Sequence, residues 1–219
     1  LIGEYAGAAI VKSGFGVIIA SGWYKTLIFI FLAPTIGLCL GLILKMITAW
    51  ITYRQRPAVV NKWSRIFQLF SAALYSLGHG GNDAQKTMGI ITSLLFAGGL
   101  IREFKVPLWV VLSAHAAIAL VTLTGGWRIV KTMGQKITKL KPIDGFCAET
   151  AAAASIFTAT HLGIPVSTTH TITGAIMGVG TTKRLTAVRW GVAGNILWAW
   201  VLTIPISAQI SAVIYLSLN

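Results

Sequence analysis

The segment TAAAASIFTATHLGIPVSTTHTITGAIMGVGTT, residues 150–182, runs for 33 residues without an Asp, Glu, Lys or Arg. Whether the chain crosses a bilayer once here, or turns back inside it, sets the side of the membrane on which everything after it lies. A helix rises ~1.5 Å per residue and needs about 20 residues to cross ~30 Å of hydrocarbon, so this run is too long for one upright span. Gly163-Ile164-Pro165 stands near its middle. Pro165 lacks a backbone donor and disfavours helix at Ile164. The pattern predicts two shorter helices, Gly145 to about His161 and about Thr168 to Gly180, folded into a hairpin that enters the membrane and returns on the same side.

The charges favour the same turn. Basic residues form three clusters: Arg54, Arg56, Lys62 and Arg65; Arg128, Lys131, Lys136, Lys139 and Lys141; and Lys183, Arg184 and Arg189. The positive-inside rule places all three on the cytoplasmic side, and only a hairpin keeps the second and third together. Hydrophobic residues make up 55% of the chain and charged ones 11%, with a mean hydropathy of +0.77, far from the roughly 25% charged residues of a soluble domain. Uncharged runs from Thr26 to Leu44, Val106 to Gly126 and Trp190 to Asn219 supply further spans. The alternation of a membrane β-barrel is absent. The fold class is therefore an all-α, polytopic membrane protein of the cell membrane, and the net charge of +13 marks orientation rather than nucleic-acid binding. Trp50, Trp63, Trp109 and Trp127 fall at the predicted borders, as interfacial belts do. Cys39 and Cys147 read as buried small apolar residues, with no disulfide or metal framework.

A second interruption is GHGGNDAQK, residues 78–86, inside the apolar stretch from Ile66 to Ile101. The glycines predict a break into two helices, with Asn82 or Asp83 capping the second and turning its positive end toward a polar site. Ionisable groups at that depth line functional sites.

Shifting the sequence by 171 residues aligns Gly3 with Gly174, Gly7 with Gly178 and Pro34 with Pro205. Small residues and prolines at helix contacts are what a membrane repeat keeps. Residues 1–50 then read as the end of a first transporter repeat, 51–65 as a basic cytoplasmic loop, and 66–219 as a second repeat with site motifs at 78–89 and 145–180. Leu1 is not Met and the start does not resemble a signal peptide, so the chain reads as beginning inside a longer protein, and an N-terminal half carrying a matching half-site is an expected partner.

GHGGNDAQKTMG, then AET, then GIPVSTTHT, in that order and separation, resembles the second half of inorganic phosphate transporter family members. The resemblance covers most of the chain. It implies a symporter, not an enzyme, that imports inorganic phosphate using a cation gradient, with no cofactor. Asn82, Asp83, Gln85, Ser167, Thr168 and Thr169 are the implied phosphate contacts, while Asp83, Lys86, Glu149, His79 and His170 are candidates for the coupling-ion path. Lys86 stands where many relatives carry an asparagine linked to sodium, so a proton, or a divalent metal carried with phosphate, becomes the expected coupling ion. Sodium coupling and a sulfate-type oxyanion substrate stay open, as does a homo-oligomer. Each site residue also has an ordinary reading: Asp83 as a helix cap, the hydroxyls bonded back to their own helix, the histidines as core residues, Glu149 at a wet helix start. A channel would use the same site without accumulating substrate. An intramembrane hydrolase is disfavoured, since Asn82 precedes Asp83 and no second Asp lies in mid-span.

Overall fold

The structure, a computed structural model, describes residues 2–125, 132–164 and 166–218. Among these residues there are seven α-helices and no strand: α1 Ile2–Ser13, α2 Ala20–Thr52, α3 Pro57–Ala97, α4 Leu108–Gly125, α5 Pro142–His161, α6 Thr168–Thr181 and α7 Trp190–Leu218. Helices satisfy every backbone donor and acceptor within their own segment, which hydrocarbon demands. Gly22–Thr52, Leu108–Gly125 and Trp190–Leu218 are each long and apolar enough to cross a membrane. Trp50, Trp63 and Trp109 are exposed, whereas Trp127, Arg128 and Lys131 lie outside the described residues.

The expected hairpin is formed by α5 and α6, which pack against each other. Pro142 opens α5 three residues earlier than Gly145, because Asp144 accepts a hydrogen bond of 2.8 Å from the Lys141 amide and caps the first turn. At the far end Gly163 takes a φ of +66°. The Gly163 amide donates to the Thr160 carbonyl at 3.1 Å and the Ile164 amide to Ala159 at 2.9 Å, which satisfies the last carbonyls of α5. Pro165 lies outside the described residues. Ser167 restarts the helix by accepting the His170 amide at 3.4 Å. At the open end Lys183 donates to the Lys139 carbonyl at 3.1 Å and to the Asp144 carboxylate. The second and third basic clusters therefore meet, as a turn-back requires.

The expected break at Gly78–Gly81 is not there. Residues 57–97 form one helix of 41 residues, about 60 Å long, twice the thickness of the hydrocarbon. Each helical glycine costs ~1 kcal/mol relative to alanine, yet hydrocarbon offers the freed backbone groups no alternative partner. Gly78 is buried, and a Cβ there would meet Ile156 and Phe157 at 3.4 and 3.5 Å, so its bareness lets α5 pack closely. Asn82 and Asp83 are thus interior helix residues, not caps. Helix α5 runs parallel to α3: Ser71 pairs with Glu149 and Asn82 with Thr160, both 78 residues apart. The two pairs recur about three turns apart along one face of each helix.

Glycines also set how α2 meets α6. A Cβ on Gly37 or Gly41 would overlap the carbonyls of Thr171 and Ala175, and one on Gly174 or Gly178 would overlap those of Pro34 and Leu38. Small residues four apart on each side let the backbones touch. Contacts divide the chain into two compact units, residues 29–188 and residues 1–28 with 189–219. Within the second of these, α1 and α7 repeat the same device, with Gly3 against Ile204 and Ser207 and Gly7 against Ala208. These are the helices that the 171-residue shift overlays on α6 and α2. Cys147 is buried and donates to the Thr48 hydroxyl at 3.4 Å, whereas Cys39, expected to be buried, is exposed.

Candidate anion site at the hairpin tip

The N-terminus of α6 forms the tip. Its first turn leaves backbone amides without intrahelical partners, a setting that attracts anions. Thr168 is 3% exposed and donates to Asp83 Oδ2 at 3.3 Å, so the tip and α3 share a carboxylate. One turn along α3, the Lys86 ammonium donates to Asp83 Oδ1 and to the Val166 carbonyl, both at 2.9 Å. A single cation thus joins α3 to the loop that precedes α6. Both charged side chains keep about a third of their exposure, 32% for Lys86 and 34% for Asp83, and stay reachable.

His79 is one turn before Asp83, its Nδ1 3.6 Å from Asp83 Oδ2, and its ring stacks on Tyr75 at 5.7 Å between centroids. Asn82 is 5% exposed. Its Nδ2 donates to Thr160 Oγ1 at 3.2 Å, while its buried Oδ1 has no donor among the described residues. A buried acceptor left so is costly, and it offers a ready ligand to a cation or a donor.

Among the other expected site residues, Glu149 and Gln85 stand apart from the tip, whereas Ser167 and Thr169 belong to it. Glu149 accepts from the Ser71 hydroxyl at 2.7 Å and from the Gln68 side chain; it lies about three turns, or ~16 Å, from Thr160 along α5, so it does not join Asp83. Ser167 caps α6, Thr169 is exposed, and Gln85 lies on the exposed side of α3. The His170 side chain bonds the backbone of Ile30 on α2. Pro34 explains this contact: without an N–H it leaves the carbonyl four residues back, that of Ile30, without its helical donor. Thr160, Val166, Ser71 and Tyr75 were not singled out from the sequence. A signal for the last two existed: residues 68, 71, 75, 79, 83 and 86 form a polar row at helical spacing inside an apolar run.

At the basic end, Asp144 is fully buried between Lys45, at 2.8 Å, and Lys183. Burial pushes its carboxyl pKa up, but hydrogen bonds from Lys183, Lys45 and the Lys141 amide outweigh it and hold the group below its ordinary value.

The tip therefore offers amide, hydroxyl and ammonium donors around one carboxylate acceptor, which suits an oxyanion that carries a proton. Comparison with known proteins agrees with that chemistry, since residues 53–211 match the model of the phosphate transporter family. The chain belongs to this family. It is 59% identical to a probable low-affinity inorganic phosphate transporter of Rhizobium meliloti (strain 1021), over 98% of this chain and 65% of that one. A protein of the same description from Bacillus subtilis (strain 168) is 44% identical, over 100% of this chain and 66% of its own length. The chain thus spans just under two thirds of these relatives. Sodium-dependent phosphate transporter 1-B of Danio rerio is 35% identical over 73% of this chain and 24% of that protein. A solved structure, described as the sodium-dependent phosphate transporter, superposes with a TM-score of 0.81 at 21% identity, covering 99% of this chain and 71% of that one. That likeness supports the helical fold.

Proposed function

We infer that the chain is the part of a secondary active transporter that receives inorganic phosphate at the tip of the α5–α6 hairpin and couples its import to protons. The observation that carries this reading is the Lys86 ammonium held between Asp83 and the Val166 carbonyl. An ionised Asp83 beside an anion seat needs a positive charge to offset its repulsion. Lys86 supplies that charge from the chain itself, so a bound sodium ion is not required there and the coupling charge is left to the proton.

Phosphate would sit against the Thr168 and Thr169 amides, with the Ser167, Thr168 and Thr169 hydroxyls around it. Asn82 would offer its free Oδ1 to a protonated oxygen. That amide oxygen favours phosphate over sulfate: near neutral pH phosphate carries a proton to donate to it, and sulfate carries none. As the anion draws Lys86 away from Asp83, the carboxylate is compensated by taking up a proton. Binding of anion and proton thereby become one event. The names of the relatives support phosphate as the substrate, and the multi-pass helical architecture supports a membrane location.

Labelled-phosphate uptake by the full-length protein tests the reading. Lys86→Gln should lower uptake about tenfold or more while the protein remains folded, given the worth of a charge-assisted hydrogen bond, and excess sulfate should not compete. Undiminished uptake by Lys86→Gln, or equal competition by sulfate, would remove the assignment.

A further inference from the structure

The polar row of α3 does not stop at the anion seat. It continues toward the basic end of the hairpin and meets Glu149. We propose that His79 and Tyr75 form a proton path along α3 that connects Asp83 with Glu149, the acceptor at the basic end. The proposal rests on the proton-coupled reading above and gives that proton a route.

Four observations carry it. His79 Nδ1 is buried, has no hydrogen-bond partner among the described residues, and lies 3.6 Å from Asp83 Oδ2. The Tyr75 ring stacks on His79 with an interplanar angle of 19°. Tyr75 lies one helical turn from Ser71, whose hydroxyl donates to Glu149 Oε2 at 2.7 Å. Glu149 is held in place by Ser71 and Gln68, one and two turns further down the same face.

Among the described residues, the groups around this row are apolar or engaged elsewhere. From α5, Ile156 and Phe157 face Gly78, and Ala148, Ala151 and Ala152 are buried. From α6, Thr168 faces Asp83, while His170 is engaged by Ile30. From α4, Val110 and Ala114 pack on Ala84 and Met88, and His115 bonds its own helix at Val111. On α3 itself Lys86 is paired with Asp83, and Lys62 and Arg65, beyond Gln68, are exposed.

The transfer balances in protons. Asp83 gives its proton to His79 Nδ1, and the imidazolium releases its Nε2 proton to the Tyr75 hydroxyl. That hydroxyl passes its own proton on to Glu149, with water bridging steps longer than a hydrogen bond. Tautomer exchange and hydroxyl rotation restore His79 and Tyr75, so Asp83 has lost one proton and Glu149 has gained one. Ordinary packing of an aromatic pair would need the Tyr75 ring but not its hydroxyl, which gives the experiment its handle.

The full-length transporter is reconstituted with a pH dye inside the vesicles, and phosphate accumulation and proton entry are measured together. Phosphate–phosphate exchange at equal pH is measured in parallel, because exchange needs the seat but no net proton flow. Tyr75→Phe and His79→Gln should each lower proton-driven accumulation about tenfold or more, as loss of a proton-transfer group does, with exchange by Tyr75→Phe within about twofold of wild type. If wild type ignores a proton gradient, the underlying coupling reading falls. If wild type responds and both variants keep its proton entry and accumulation, the path is overturned while the coupling stands. If Tyr75→Phe also abolishes exchange, Tyr75 belongs to the seat or the packing, and the path is equally overturned.

Discussion

Pro34 and His170 offer a way to test the packing of α2 on α6 without touching the anion seat. Pro34 leaves the Ile30 carbonyl without its helical donor, and the His170 side chain fills the gap. His170→Phe keeps a ring of similar size but removes the donor. Leaving a buried acceptor unsatisfied costs about 1–3 kcal/mol. In a Pro34→Ala background the backbone amide regained at that position can bond the Ile30 carbonyl, and the same histidine substitution should cost less by about that amount. The two changes therefore couple in a double-mutant cycle, while losses unrelated to the shared carbonyl cancel. For a chain of this size 1 kcal/mol shifts the melting temperature by about 2–4 °C. Thermal unfolding of the four detergent-solubilised variants at one scan rate should thus show a coupling of about 2–12 °C. Equal cost of His170→Phe in both backgrounds would show that Pro34 is not the reason for the contact.

Asp144→Asn should destabilise the protein by about 3–5 kcal/mol at pH 7, because it empties a buried ion-pair site between Lys45 and Lys183. The folded-state pKa of Asp144 is lowered, so its contribution is present above the ordinary value of about 3.9 and lost as pH falls through the folded value. Melting curves of wild type and variant should converge in acid and separate toward neutrality. Gly178→Val would drive a side chain into the Leu38 carbonyl, and size-exclusion profiles should show loss of the monodisperse species. Gly80 has open space around its missing Cβ, so Gly80→Ala should raise stability by up to ~1 kcal/mol if α3 is continuous; a lower melting temperature would restore the break that the glycines suggested.

The hairpin was legible because three independent features agree on it: an uncharged run too long for one span, Gly163-Ile164-Pro165 at its centre, and basic clusters that belong on one side. The continuous α3 was not legible. In water Gly78 to Gly81 would weaken a helix, but in hydrocarbon the backbone has nowhere else to bond, and α5 packs on Gly78. Asp83 and Lys86 were recognised from their depth in an apolar run, yet the Val166 carbonyl that completes the bridge is a backbone atom without a sequence signature. The AET motif points to Glu149 as part of the ion path, but motif order carries no distance; the parallel register of α3 and α5 sets it about three turns from Thr160. His170 stands out in the sequence by lying beside the tip, and only the contact of α2 with α6 shows that its side chain reaches the carbonyl that Pro34 leaves open.

Proton-driven phosphate import, as proposed above, follows from Lys86 already occupying the place of a cation beside Asp83. Its most direct test is labelled-phosphate accumulation in proteoliposomes of the full-length protein, first with an inward proton gradient and no sodium, then with an inward sodium gradient at equal pH. One pH unit corresponds to about 1.4 kcal/mol, enough for about tenfold accumulation per proton. Accumulation above equilibrium is expected in the first condition and none in the second; accumulation that requires sodium and ignores the proton gradient would contradict the claim.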